Sequence, residues 1–273
     1  MKIHVNGVDY YVEIYGNGAP LVLLHGFSGD SSTWTEIIDP LKVDYKVICL
    51  DIIGHGKTES PKEVERYNIQ AVAEDIKNIL DKLGIDKTVM LGYSMGGRLA
   101  LTFALLFPDR VSALILESAS PGLETENERE NRKISDEKLA KRIVNEGIEK
   151  FVDYWESIPL FQSQLRLLHE KREKIRNARL NNNPLGLANS LLGMGTGAQP
   201  SWWSSLSTIK IPVLMITGEW DTKFCRIAEQ MSHSIKNCYW ETILEAGHAI
   251  HVEQPEKFGK IVSEFLMKNK GGL

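Results

Sequence analysis

Ser94, Asp221 and His248 have the residue types and the chain order needed to turn an alcohol into a strong base or nucleophile. A serine hydroxyl is unreactive near neutrality until an imidazole takes its proton, and that imidazole must be oriented by a carboxylate. Ser94 lies in Gly92-Tyr93-Ser94-Met95-Gly96. This Gly-x-Ser-x-Gly turn raises a hydroxyl above a sheet when a strand enters it and a helix leaves it. The apolar run Val89-Met90-Leu91 enters, and residues 95–107 leave with helical character. Gly92 and Gly96 leave space where a Cβ would strike neighbouring chain. The helix starting after Ser94 directs free N–H groups at charge forming there.

The partners must follow in the order acid, then histidine, each in a loop after a later strand. Asp221 is in Gly218-Glu219-Trp220-Asp221 after the apolar stretch 213–217, and His248 is in Ala246-Gly247-His248 after residues 239–244. Glu219 competes for the acid role, but Asp221 stands farther along the turn, where the chain has cleared the strand end. His251 reads as a packing or surface residue, and His25 and His55, each before a glycine, as formers of loop hydrogen bonds. His4, His169 and His233 carry no local signal. Two backbone N–H groups should complete an oxyanion hole: that of Met95, after the nucleophile, and that of Phe27 in His25-Gly26-Phe27.

The elements that position these residues alternate. Residues 2–15 read as a hairpin turning at Asn6-Gly7, and 21–24, 46–50 and 111–116 as strands. Residues 34–41 and 68–83 read as helices, the second through Ile69, Val72, Ile76, Ile79, Leu80 and Leu83. This order predicts an α/β fold with a mostly parallel central sheet and helices on both faces. Residues 124–192 contain no convincing strand and read as an inserted helical cap. The sheet resumes at 212–217, and a helix over 256–267 closes the chain. The expected organisation is a first core part at 1–120, a cap at 121–205 and a second core part at 206–273.

Composition narrows the partners. The 273 residues are 42% hydrophobic and 25% charged, with a net charge of −4, which fits a globular chain and argues against nucleic acid. The cysteines, Cys49, Cys225 and Cys238, are odd in number and lack metal-ligand spacing, which suggests a reducing compartment. The N-terminus has no signal-peptide core, and no apolar stretch approaches the ~20 residues of a membrane span. A cytoplasmic location is expected.

Taken together, these features resemble the α/β-hydrolase superfamily along the whole chain. Longer motifs resemble one family within it. They are Gly92-Tyr93-Ser94-Met95-Gly96-Gly97-Arg98, Ser120-Pro121-Gly122-Leu123 with Glu128-Arg129, and Trp155-Glu156 followed by Pro159-Leu160-Phe161. Gly193 to Pro200 and Gly218-Glu219-x-Asp221-x-Lys223-Phe224 extend the match. That family is 2-succinyl-6-hydroxy-2,4-cyclohexadiene-1-carboxylate synthase of menaquinone biosynthesis. Trp220 and Thr222, flanking the acid, depart from its pattern. The resemblance implies a lyase that needs neither cofactor nor metal. It would take a proton beside a ketone and expel pyruvate from a small polycarboxylate, 2-succinyl-5-enolpyruvyl-6-hydroxy-3-cyclohexene-1-carboxylate.

Arg98 tests that implication from the residues themselves. It follows Ser94 by one helical turn, and helical side chains lean toward the N-terminus, so it is expected to reach back toward the active site. A cation there is costly unless an anion offsets it, which suits a polycarboxylate better than a neutral ester. Arg129 and Arg179 as carboxylate-binding residues, and Tyr93 and Trp155 as pocket lining, come from the resemblance alone. Between 124 and 179 cations and carboxylates nearly balance, so a solvated helix surface is the plain reading there. A carboxylesterase or carbon–carbon bond hydrolase would share the triad, and Arg98 with the cap motifs separates it from the lyase. A non-catalytic binding protein of this fold is disfavoured by the complete Ser94, Asp221 and His248 set.

Overall fold

The computed structural model describes residues 1–269. Strands β1 (Lys2–Val5) and β2 (Val8–Tyr15) form the opening hairpin, and Asn6 and Gly7 turn it with φ of 48° and 80°. Then come β3 (Ala19–Leu24), α1 (Thr35–Leu41), β4 (Tyr45–Leu50), α2 (Ile69–Lys82), β5 (Thr88–Tyr93), α3 (Met95–Leu106) and β6 (Val111–Glu117). Helices α4 (Glu126–Glu146), α5 (Ile148–Ser157), α6 (His169–Leu180) and α7 (Pro184–Met194) follow without a strand. The chain ends with β7 (Val213–Gly218), α8 (Thr222–Ser234), β8 (Cys238–Ile243), α9 (Ile250–Glu253) and α10 (Pro255–Lys268).

Among the described residues the strands form one sheet in the order β1-β2-β4-β3-β5-β6-β7-β8. Both pairings of β2 are antiparallel and the rest are parallel. Every residue of β5 is buried, as expected for a central parallel strand covered on both faces. On one face Ile76 and Ile79 of α2, Leu99 and Phe103 of α3 and Met231 of α8 pack into the core. On the other, Ile37 and Leu41 of α1 meet Phe258, Val262 and Leu266 of α10.

The helices between β6 and β7 have a small core of their own, built from Ile143, Phe151, Val152, Leu187 and Leu191. A capping box starts α4: Thr125 Oγ1 accepts the Glu128 N–H at 3.2 Å, and Glu128 Oε2 accepts the Thr125 N–H at 2.9 Å. Such reciprocal bonds satisfy two N–H groups left open by the helix end. Helix α7 lies tight against the first half of the chain. A Cβ on Gly186 would strike Gly54, and one on Gly193 would strike the backbone of Tyr67. No helix among the described residues is long and apolar enough to cross a membrane.

Candidate active site

The turn at Ser94 is as tight as its glycines require. Ser94 has φ +50°, an uncommon backbone state that persists only where the surroundings enforce it. A Cβ on Gly92 would collide with Gly96 and Gly97, and one on Gly96 with the carbonyls of Leu24 and His25. The Ser94 N–H donates to the Glu117 carbonyl at 2.9 Å, so the turn is fastened to β6 as well as to β5. Ser94 itself is half-buried.

The three residues expected to work together do meet. His248 Nε2 lies 2.9 Å from Ser94 Oγ, and its Nδ1 lies 2.5 Å from Asp221 Oδ2. Asp221 is fixed in turn as the cap of α8, its Oδ1 accepting the Phe224 N–H at 3.4 Å. Glu219 is engaged elsewhere, accepting the Glu245 N–H at 3.1 Å. The His248 ring is buried between Phe224 and Tyr93, at centroid distances of 4.6 and 5.4 Å. Among the described residues the backbone N–H groups of Phe27 and Met95 have no acceptor. His25 closes its loop: it accepts the Ile52 N–H on Nε2 at 2.9 Å, which leaves Nδ1 to donate to the Gly26 carbonyl at 2.8 Å. His55 donates from Nδ1 to the Ile53 carbonyl at 3.1 Å, while its buried Nε2 has no partner among the described residues.

A cavity of about 640 Å³ opens beside these groups. Gly26, Phe27 and Tyr93, which flank or carry one of the acceptor-free N–H groups or adjoin Ser94, form part of its wall, and Arg179, Lys171 and Lys174 of α6 line another part. Ser94 and His248 are not in that wall; the cavity adjoins them through Phe27 and Tyr93. Burial, then the nearby Glu117 carboxylate, pushes the Tyr93 phenol well above its usual range, so it stays protonated at any working pH.

Arg98, Arg129, Arg179 and Trp155 are not gathered round Ser94 in the same way. Arg98 is expected to lean back toward Ser94, but Nη1 donates to the Met194 carbonyl at 2.7 Å and to Gln199 Oε1. Both partners are uncharged. Burial, together with Arg132, pushes the guanidinium down to about 10 while Asp136 opposes the shift. Arg129 donates to the carbonyls of Leu123 and Glu124 at 3.3 and 3.1 Å. Arg179 is buried in contact with Glu156 and Gln164, each at 3.2 Å, and lies over the Phe161 ring. Trp155 sits among Phe27, Phe151 and Phe161 at 5.4–5.7 Å, and its buried Nε1 has no partner among the described residues.

Residues 19–255 match the model of the α/β hydrolase fold family. A Bacillus subtilis (strain 168) protein, provisionally named 2-succinyl-6-hydroxy-2,4-cyclohexadiene-1-carboxylate synthase, is 50% identical over 96% of both chains. A protein of Enterobacter sp. (strain 638) bearing that name outright is 31% identical over 90% of this chain and 91% of its own. The chain belongs to this synthase family, on the α/β-hydrolase fold. Its structure is similar to that of MenH from S. aureus, with a TM-score of 0.91, 39% identity and coverage of 96% and 98%. It is also similar to a malate-bound thermophilic esterase from Thermogutta terrifontis, with a TM-score of 0.86 and 30% identity over 98% of each chain.

In this synthase-family chain, sequence reasoning left two acidic groups near the site without a role, Glu117 buried and Glu253 half-buried. Glu117, at the end of β6, accepts the His251 N–H at 2.9 Å and faces His251 Nδ1 at 2.8 Å from both oxygens. His251 is therefore a packing residue and not a surface one. Glu253 accepts the Gly247 N–H at 2.7 Å, next to His248, and the Ser163 hydroxyl at 2.9 Å. A lone acid closing the apolar run Leu114-Ile115-Leu116-Glu117 was the available signal for the first. Nothing in the local pattern marked the second.

Proposed function

We propose that this chain is the lyase of menaquinone biosynthesis that eliminates pyruvate from 2-succinyl-5-enolpyruvyl-6-hydroxy-3-cyclohexene-1-carboxylate. The observation that carries the reading is the Ser94–His248–Asp221 chain at 2.9 and 2.5 Å, beside two acceptor-free N–H groups, in a member of this synthase family. His248, oriented by Asp221, takes the Ser94 proton, and the Ser94 oxygen takes the ring proton next to the succinyl ketone. Charge then builds on the ketone oxygen, where the N–H groups of Phe27 and Met95 stabilise it. Fixed donors aimed at an oxygen that gains charge are worth most in a site shielded from water. When the enolate collapses, the ring double bond shifts and the carbon–oxygen bond to the enolpyruvyl group breaks. The departing enolate of pyruvate is protonated, and the ring keeps two conjugated double bonds. No acyl group is transferred, so no covalent intermediate on Ser94 is required.

The helices of residues 121–205 serve as a cap over this chemistry, and Arg98, Arg129 and Arg179 serve as carboxylate partners, with Tyr93 and Trp155 lining the pocket. Arg98 suits that role because among the described residues it is buried without a salt bridge. Its present partners are neutral oxygens that an anion can outcompete. Three unpaired cysteines favour a reducing, cytoplasmic setting.

An ester hydrolase is the second reading, favoured by the likeness to the Thermogutta terrifontis esterase and by the same three residues. One experiment separates the two. The enolpyruvyl substrate is supplied, and pyruvate release and diene absorbance are followed together, beside hydrolysis of a neutral aryl ester. Matched appearance of pyruvate and diene, far faster than ester cleavage, is the expected result. Ester cleavage without either product overturns the lyase reading.

A further inference from the structure

The geometry points to Thr33 as a carboxylate-orienting residue of the cavity, its hydroxyl held ready by the buried His251–Glu117 pair. Thr33 lies in the single helical turn Ser31–Trp34, is half-buried, and lines the cavity together with His251. Its Oγ1 is 2.6 Å from His251 Nε2, and His251 Nδ1 is 2.8 Å from Glu117. The side chains of His251 and Glu117 are both 0% exposed. The His251 ring is clasped by Trp34 and Tyr93, at centroid distances of 4.4 and 4.8 Å, and Phe258 lies 6.1 Å away. This second hydroxyl–imidazole–carboxylate chain shares no member with Ser94, His248 and Asp221.

Its surroundings decide between catalysis and binding. Acyl transfer at Thr33 would need free N–H donors beside it, and those of Ser31, Ser32 and Thr33 are taken. The Ser31 N–H donates to Asp51, the Ser32 N–H to Asp30, and the Thr33 N–H to the Asp30 carbonyl. Binding remains, and the cavity states the sign of the ligand. Across from Thr33, α6 contributes Arg179, Lys171 and Lys174. Glu36 holds Lys171 at 2.6 Å and Glu156 holds Arg179 at 3.2 Å, whereas among the described residues Lys174 has only a solvated contact with Glu170. Of the acids in the wall, Asp30 is occupied by the N–H and hydroxyl of Ser32.

The imidazole controls what Thr33 offers. A neutral His251 that donates from Nδ1 to Glu117 accepts the Thr33 O–H on Nε2, and Thr33 then shows the cavity only lone pairs. A protonated His251 donates from both nitrogens, which releases the Thr33 hydroxyl proton toward a ligand oxygen. A ligand carboxylate accepts a hydrogen bond from the Thr33 hydroxyl in the arrangement where His251 donates from Nε2. Among the described residues, Glu253 on the same short helix and Tyr93 adjoin the pair, and Arg179 and Asp221 act on Tyr93 in turn.

Under the lyase reading the ligand group is a substrate carboxylate, and the inference rests on that reading for its kinetic test alone. Thr33→Val keeps the shape and removes the hydroxyl, while Thr33→Ser restores it. Hydrogen bonds to charged groups correspond to about 10- to 100-fold in affinity. Thr33→Val should raise KM for the enolpyruvyl substrate by about that factor, with kcat nearly unchanged and Thr33→Ser close to wild type. In protein carrying ¹⁵N-labelled histidine, succinate should shift the His251 Nε2 signal in wild type and Thr33→Ser, but not in Thr33→Val. That titration needs no turnover, so it tests the inference even if the chain releases no pyruvate. An unchanged KM in Thr33→Val, a loss confined to kcat, or a His251 signal indifferent to succinate in the wild type overturns it.

Discussion

Replacing Arg98 by methionine should separate stability from activity, and the structure fixes the size of both effects. Burial depresses the guanidinium from 12.5 to about 10, so holding the charge there costs about 3 kcal/mol. Methionine removes that cost and fills much of the same volume. It also leaves the Met194 carbonyl and Gln199 Oε1 without their donor, at about 1–3 kcal/mol each. The two effects nearly cancel, and the net loss of folding free energy should stay below about 3 kcal/mol. Activity should not be spared. Removing one member of a buried charged pair typically costs about 2–5 kcal/mol, which is about 30- to 5,000-fold in kcat/KM for the enolpyruvyl substrate. A neutral aryl ester does not use the charge and should be cleaved at a nearly unchanged rate. Urea unfolding supplies the first quantity, and paired kcat/KM values supply the second. Arg98→Lys should fall between, because an ammonium lacks the planar two-pronged fork. Equal losses on both substrates would refute the reasoning and make Arg98 a brace between α3 and the loop after α7.

Ser94→Ala and His248→Ala should each lower pyruvate release by about 10³-fold or more. The double variant should be scarcely worse than either, because the residues act as a unit; steady-state rates that multiply would show two independent roles. Burial, and then His25, holds His55 down at about 3. Its neutral form therefore contributes stability that is complete above about 6.5 and is lost as pH falls toward 3, by up to about 5 kcal/mol. His55→Leu should lose less Tm than wild type between pH 7 and pH 4, and equal losses would contradict this.

The strands were legible because buried parallel strands are short apolar runs, and their misplaced ends have local causes. Strand β6 continues to Glu117, one residue past the apolar run, because His251 satisfies that carboxylate. Strand β8 stops at Ile243, and Leu244 is 61% exposed. The candidate catalytic residues were legible because each occupies a loop whose place follows from strand order alone. The Glu117–His251 pair was not, since its members are 134 positions apart and only the folded sheet brings them together. The partners of Arg98 were hidden for the same reason: Met194 and Gln199 lie 96 and 101 positions away. Helical geometry gives the direction in which a side chain leaves its helix, but not what waits at its end.

The glycine contacts of α7 bear on how such a chain can change over generations. Any side chain at Gly186 or Gly193 wedges α7 away from Gly54 or Tyr67, so this helix can neither thicken nor slide along its seat. Helices α5 and α6 are joined instead by surface ion pairs, such as Arg176 with Asp153 and Glu156, which are individually weak and readily exchanged. Drift in what the cavity admits is therefore channelled into α6, which lines it and is held to α5 by those weak pairs, while α7 stays in register with the sheet.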